Sequence, residues 1–474
     1  MQTTNKHLST LEKNYEAIQA VTAIVADTLG PEGLNVMLID EFANAFCTND
    51  GVTILTKLQI KNPVAKYIRD AALAQEEKVG DGTTSVCVVL EALLKESINT
   101  LKNKDISTIR LTKLLHQAKQ RILELIAKQS IAVEKLDDEK LFAATAIASR
   151  EDLQLSKLIQ QLYIKSFSNT KQEKFDLSEH IYAYKNTHDH ILPGFIIKKK
   201  PHLNSKEKIK DCEILMVKGS LEPQAISSEA ASTDEGVKKF NNNVQELIEL
   251  CKKIKKRDIK AVFCSGSIFH QAEEILNKEG IIVLSHLTDS CFRNIEKASK
   301  AIACSRTELF DQDQNCFNNK LGKIKSLEFN ERFQAFVLEA EAFAFHSLIL
   351  GESTQNLLDE KLRIAQDATK VFYATLKEGL SKGGGILELD ILNTLKKEAE
   401  NQEIIEILEA GLSSIFLQIQ KNTGWQMTPA DLEKKFAEEN ILDASLVKKT
   451  IIEIAFDLCS QIIKVKNVVI ANSY

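Results

Sequence analysis

Apolar residues recur at helical spacing through 11–26, 63–78, 86–98 and 107–129, and again beyond 350 through 356–380, 386–401, 403–420 and 444–463. That period predicts long helices with one buried face. Between about 180 and 330 the pattern changes. The runs Gly194-Phe195-Ile196-Ile197, Glu213-Ile214-Leu215-Met216-Val217, Ala261-Val262-Phe263-Cys264 and Ile281-Ile282-Val283-Leu284 read as strands. Helical patterns over 243–256, 268–277 and 290–300 lie between them, the alternation of an α/β domain. Two further short strands are expected at 36–40 and 45–48. The order is helical, then α/β, then helical, and its economical explanation is an α/β domain inserted into a helical one whose halves pack together. No internal repeat or low-complexity tract interrupts it.

Punctuation sharpens the picture. Only 6 prolines and 18 glycines occur in 474 residues, which favours long helices. The first helix should stop at Leu29-Gly30-Pro31-Glu32-Gly33, and Gly80-Asp81-Gly82-Thr83-Thr84-Ser85 should separate two others.

Composition removes several function classes. Lys and Arg number 61 against 66 Asp and Glu, a net charge of −5, whereas a general nucleic-acid binder needs a basic surface. At 44% hydrophobic and 27% charged the chain is an ordinary globular protein. It has no apolar run of membrane-spanning length, and its first residues lack a signal-peptide core. The nine cysteines are scattered without a CxxC pair or a Cys/His cluster. They read as free thiols in a reducing compartment, so a cytoplasmic location is expected. Cys47, Cys87 and Cys264 sit in apolar runs and are expected in the core. His270 and His346 are expected to be structural or on the surface.

The segment Gly80-Asp81-Gly82-Thr83-Thr84-Ser85 carries the candidate chemistry. Glycines let backbone amides approach a ligand, and successive N–H groups at a helix start attract anions. Thr83, Thr84 and Ser85 add hydroxyls. Asp81 would repel a bare phosphate, so it makes sense with an intervening cation such as Mg²⁺. The same residues would also serve as a plain helix N-cap, and the local sequence leaves both readings open. It is neither a Walker A loop nor a Rossmann fingerprint.

Three motifs in order then point to a family. Thr48-Asn49-Asp50-Gly51-Val52-Thr53-Ile54-Leu55, the Pro63-Val64-Ala65-Lys66 helix start and Gly80-Asp81-Gly82-Thr83-Thr84-Ser85 resemble the N-terminal half of a chaperonin, in the forms found in group II, the archaeal thermosome and the eukaryotic cytosolic chaperonin. Thr28-Leu29-Gly30-Pro31-Glu32-Gly33 resembles that family's turn at the first helix end. In the second half, Asp367-Ala368, Lys382-Gly383-Gly384-Gly385 and Ile441-Leu442-Asp443-Ala444 resemble later motifs, with Ala444 where proline is usual.

The resemblance implies a multi-domain chain. A mainly helical equatorial domain would be formed by 1–131 and 378–474, a small α/β intermediate domain by 132–190 and 331–377, and an inserted α/β apical domain by 191–330. It implies ATP and Mg²⁺ as cofactors. Leu29, Gly30, Pro31, Gly51, Gly82, Thr83, Thr84, Ser85, Gly383, Gly384 and Asp443 would bind nucleotide. Asp81 would hold the metal, and Asp50 and Asp367 would be catalytic. Phosphoryl transfer to water needs in-line placement and an oriented nucleophile, which two carboxylates can supply. It also implies a homo- or hetero-oligomeric ring that binds and encloses non-native polypeptide and assists its folding by ATP-driven conformational change, without nucleic-acid or membrane partners. Clients would meet apolar side chains around 268–277 and 291–300. The segment 219–243 is nearly as long as the group II protrusion, which predicts a built-in lid and no separate co-chaperonin.

Several positions depart from the family. Glu32 stands where a basic residue is usual, Gly351-Glu352 replaces an Arg-Gly-Gly-like turn, and Ala148-Ser149-Arg150 matches the nucleotide-sensing segment loosely. Between Asn422-Thr423-Gly424 and Asp443 the chain is much shorter, without the usual Gly/Asp-rich segment. The shortened segment favours the rival expectation, a chaperonin-like binding or assembly factor with little hydrolysis. The retained Asp50, Asp81 and Asp367 favour the ATPase. A small-molecule ligase or kinase is disfavoured because no acceptor-site motif accompanies the nucleotide residues.

Overall fold

The computed structural model describes residues 2–39, 45–60, 62–167, 175–202, 206–225, 227, 233–310, 317, 319–340, 345–438 and 441–465. The chain divides into two compact units. The first is Met1–Gln160 with Phe175–Ser178 and Arg363–Tyr474, and the second is Gln161–Lys174 with Glu179–Leu362.

The first unit is built around the Thr83–Asn103 helix. This helix packs against the Gln2–Ala26, Pro63–Val79, Ile405–Thr423 and Ser445–Ile462 helices. It is central because it is apolar nearly all round: Val86, Cys87, Val89, Leu90, Leu93 and Leu94 are buried together. The Thr108–Gln129 helix adds an amphipathic face, with Leu111, Leu115, Ile122 and Ile126 turned inward. One apolar cluster therefore joins residues 11–126 to residues 371–463, so both chain ends share a core.

In the same unit, β1 (Val36–Ile39) pairs antiparallel with β2 (Ala45–Thr48), Met37 facing Cys47 across the ladder. Val36 and Leu38 pack on the core while Met37 and Ile39 are exposed. Cys47 is exposed too, which corrects the expectation that it lies in the core. Strand alternation puts it on Met37's outward face. Cys87 and Cys264 are buried.

The second unit holds ten strands among the described residues: β3 (Ile181–Lys185), β4 (His190–Pro193), β5 (Phe195–Ile197), β6 (Lys208–Lys218), β7 (Ile259–Cys264), β8 (Ile282–Leu284), β9 (Cys304–Ser305), β10 (Gly322–Asn330), β11 (Ala335–Glu339) and β12 (His346–Glu352). The larger sheet has the order β5-β11-β10-β6-β7-β8, with β9 beside β6. Its β6, β7, β8 and β9 run parallel, and helices Asp234–Lys256 and His270–Lys278 lie between them in sequence. These parallel strands read as continuous apolar runs because both faces are covered. The smaller sheet has the order β3-β12-β4. Strands β10 and β11 had no such signal: β10 carries Lys323, Lys325 and Glu328 and alternates between buried and exposed.

The helices expected to present apolar side chains to clients instead turn them inward. Ala272 and Leu276 of His270–Lys278, and Phe292, Ile295 and Ala298 of Asp289–Ser299, are buried, while Ile268, Phe269 and Ile275 are half-buried against the same core. An amphipathic helix on a sheet spends its apolar stripe on that sheet. The middle of the segment expected to form a lid, residues 226 and 228–232, lies outside the described residues. Of its flanks, Leu221 is buried and Asn243 donates to the Gln224 carbonyl at 2.8 Å.

Back in the first unit, β13 (Leu380–Lys382) pairs antiparallel with β14 (Leu442–Ala444), Ser381 facing Asp443. The helical pattern of 386–401 ends at Leu395, and a 3₁₀ turn spans Ala399–Ile404. The shortened connection before Asp443 forms the Pro429–Glu438 helix. Its Leu432 is buried with Ile386 and Phe416, and Trp425, Met427 and Ile441 pack alongside. Among the described residues no helix is long and apolar enough to cross a membrane.

Candidate functional site

The glycine-rich turn joins two helices in three residues. Gly80 ends the Pro63–Val79 helix at φ 72°, and Gly82 opens the next at φ 82°, both left-handed conformations that favour glycine. No side chain caps the Thr83–Asn103 helix, so its first amides are available to an outside acceptor. Thr83, Thr84 and Ser85 are buried, and the Thr84 hydroxyl lies 3.3 Å from that of Thr28. That contact fixes the Leu29-Gly30-Pro31 turn beside it. The Asn422 amide grips the same turn, donating to the Leu29 and Ala26 carbonyls at 2.8 Å.

Asp50 begins the short Gly51–Lys57 helix. Its Oδ2 accepts from the Thr53 amide at 2.8 Å, an N-cap bond. A Cβ on Gly51 would stand 2.7 Å from Thr84 Oγ1 and 3.1 Å from Thr83 Oγ1, so the backbone beside Asp50 rests on the turn's hydroxyls. A Cβ on Gly80 would stand 2.8 Å from the Asp367 carbonyl oxygen. Asp50 and Asp367 thus flank the same turn.

Arg363 connects them. Its Nη1 lies 3.0 Å from Asp50 Oδ1 and 2.8 Å from Asp367 Oδ2. The Glu76 carboxyl lies beside that of Asp367. Burial, then repulsion from Glu76, pushes Asp367 up to about 9 against the pull of Arg363 and Lys370. Burial raises Glu76 as well. Two carboxyls side by side and short of water favour protonation of one of them. Lys370 Nζ donates to the Glu76 carbonyl at 2.9 Å and closes the cluster.

Asp81 stands on the other side of the turn. It is an exposed residue crowded by neighbouring protein atoms. Loss of surrounding water, then repulsion from Asp443, pushes it up to about 6. The Gly82 amide donates to Asp81 Oδ1 at 2.6 Å, and Gln75 Nε2 donates to the Asp81 carbonyl at 2.8 Å. Asp443 is paired with Lys448 at 2.8 Å, and Lys448 lies 3.0 Å from Glu388 Oε1. Burial alone would lower the Lys448 pKa. The Asp443 and Glu388 carboxylates override it and hold the ammonium above the ordinary lysine value. A Cβ on Gly383 would stand 3.2 Å from Asp443 Oδ1, which sets the Gly383-Gly384 bend against this group.

These residues suit a metal-bound polyphosphate. The helix start is uncapped, and among the described residues Asn49 Oδ1 and Gln75 Oε1 are buried acceptors with no partner, which suits a cation or water rather than phosphate. Among the described residues no group of three or more His, Cys, Asp or Glu is placed to hold a metal. Asp81 beside the turn could hold a Mg²⁺ that draws its other ligands from phosphate and water.

Of the sequence-derived candidates, Asp50, Gly51, Thr83, Thr84 and Asp367 converge around the turn, with Asp81, Gly82 and Ser85 on it. Leu29 and Gly30 adjoin through Thr28, and Pro31 is exposed on that turn. Gly383, Gly384 and Asp443 form a neighbouring group. Arg363, Glu76, Gln75, Lys370, Lys448 and Glu388 were missed. Arg363 had a signal, since it precedes Asp367 by four residues on one helix and so shares its face.

A helical body closed by both chain ends around such a turn, carrying an α/β insertion, defines a chaperonin subunit. The chain belongs to the TCP-1/cpn60 chaperonin family, whose sequence profile matches residues 21–473. It is 28% identical to thermosome subunit alpha of Halobacterium salinarum over 87% of this chain and 76% of that one. It is 25% identical to thermosome subunit beta of Methanothermobacter thermautotrophicus over 97% of this chain and 91% of that one. A crystal structure of a group III chaperonin in the open state superposes with a TM-score of 0.75 at 25% identity, covering 98% of this chain and 99% of that one.

Proposed function

We propose that this chaperonin subunit hydrolyses ATP, and that rings of it bind and enclose non-native polypeptide in the cytoplasm. One observation supports this above the rest: Asp50, Asp367 and the uncapped Thr83 turn, drawn from opposite ends of the chain, adjoin in one unit. In this reading 1–131 and 378–474 are equatorial, 132–190 and 331–377 intermediate, and 191–330 apical.

The amides and hydroxyls of Thr83, Thr84 and Ser85 would bind phosphate oxygens, with the Gly82 backbone admitting them closely. Asp81 would hold Mg²⁺, which when bound neutralises phosphate charge. Leu29, Gly30 and Pro31 would line the nucleotide through backbone. Gly383 and Gly384 would approach the nucleoside, and Asp443 would accept from the ribose. Asp50 and Asp367 would orient water and accept its proton.

Phosphate release by the full-length protein tests the proposal. Asp50→Asn retains the N-cap bond that alanine would lose. Both Asp50→Asn and Asp367→Asn are expected to lower turnover roughly 100-fold or more with nucleotide still bound. The shortened connection before Asp443 favours a second reading, a binding or assembly factor. Nucleotide binding by wild type with no turnover would select it.

A further inference from the structure

Arg363 touches both candidate catalytic carboxylates, yet no motif singled it out. Its side chain is 23% exposed, and the Asp50 and Asp367 side chains are 9% and 11% exposed. At that depth, charge interactions are strong and geometry decides whether they hold. Asp50 has a second tether, its Oδ2 bound to the Thr53 amide, and Asp367 stands beside Glu76. Arg363 therefore links the Thr53–Asp50 cap to Asp367. Without that cation, Asp50, Glu76 and Asp367 would repel one another.

We propose that Arg363 is the positioning residue of the hydrolytic site: its guanidinium sets the separation and orientation of the Asp50 and Asp367 carboxylates. This rests on the ATPase reading and deepens it. The guanidinium already has both acids as partners, which separates it from a phosphate-binding arginine. A positioning role acts on turnover, whereas a phosphate contact acts on affinity.

The test compares full-length wild type, Arg363→Met and Arg363→Lys by steady-state kinetics across pH, by affinity for a fluorescent ATP analogue and by crystal structure. Arg363→Met is expected to lower kcat roughly 10- to 100-fold, the effect of misplacing reacting groups. KM and analogue affinity should move less than about threefold. The acid limb of the pH profile should shift to higher pH, because losing a cation raises the pKa of carboxylates that must ionise. The charged groups facing that pair are Glu76, Asp50, Arg363 and Lys370. Arg363→Lys should restore the limb and part of kcat.

An unchanged kcat, a loss confined to KM and affinity, or faster turnover in Arg363→Met would each overturn the proposal. If wild type binds the analogue without turnover, the ATPase reading fails on its own. The crystal structures still decide the positioning claim: a changed Asp50–Asp367 separation in Arg363→Met upholds it and an unchanged one overturns it. A thermal melt of Arg363→Lys separates misfolding from mispositioning.

Discussion

Gly51 and Thr84 meet so closely that a single added carbon on Gly51 would stand 2.7 Å from the Thr84 hydroxyl oxygen. Asp50 is held against the Gly80–Gly82 turn by this contact. Gly51→Ala must push one or the other aside, and Thr84 is buried beside Thr28. Overpacking of this kind costs about 1–3 kcal/mol. Trp425 is the chain's only tryptophan and packs in the same unit, so its fluorescence can follow urea unfolding. A lower urea midpoint and weaker ATP binding are expected, and an unchanged pair of values would contradict the contact.

Lys448 and Glu388 are each only 4% exposed. Removing the lysine leaves a buried carboxylate without its cation. Lys448→Met should destabilise the protein by about 3–5 kcal/mol, read by urea denaturation. Adding Glu388→Leu should recover much of that loss. A small effect of Lys448→Met alone would show that the triad is not held as described.

The Glu76–Asp367 pair gives stability a pH dependence. In the folded protein Asp367 is pushed from its ordinary 3.8 to about 9. A raised acid stabilises the fold fully below the ordinary value, and that contribution is lost as pH rises toward the folded value. Asp367→Asn lacks the loss. Its stability relative to wild type should therefore increase steadily from about pH 5 to pH 8, measured as the difference in urea midpoints. A difference that stays flat would place the proton elsewhere.

Asp81 is the carboxylate proposed to hold the metal. Chelating Mg²⁺ should weaken ATP binding by wild type roughly 10-fold or more, the scale of losing a metal-anchoring contact. Asp81→Asn should bind equally weakly with and without Mg²⁺. Full Mg²⁺ dependence in that variant would remove Asp81 from the site.

Assembly is testable by direct imaging. Negative-stain micrographs of the purified full-length chain should show rings. Monodisperse single subunits at micromolar concentration would contradict the ring-forming part of the proposed function.

Much of the first unit was legible because its signals are local. Pro63 and Gly80 bracket one helix, two glycines separate it from the next, and helical periodicity fixed the remaining long elements. That Asp50 and Asp367 share a unit was legible only through motif order, since nothing in either segment points to the other. Arg363, Glu76 and Lys448 were not read as site residues because their partners come from distant segments. Their charges look like solvated helix faces until the fold is known. Cys47 misled because a short apolar run says nothing about which strand face is covered. The charged alternation of β10 hid a strand. The second unit's amphipathic helices showed an apolar stripe without showing that the unit's own sheet consumes it.

The most direct measurement is a crystal structure of full-length Asp367→Asn with ATP and Mg²⁺. The triphosphate is predicted to lie on the Thr83, Thr84 and Ser85 amides, with the metal on Asp81 and Asp50 beside the terminal phosphate. Nucleotide bound elsewhere, with those amides untouched, would contradict the account.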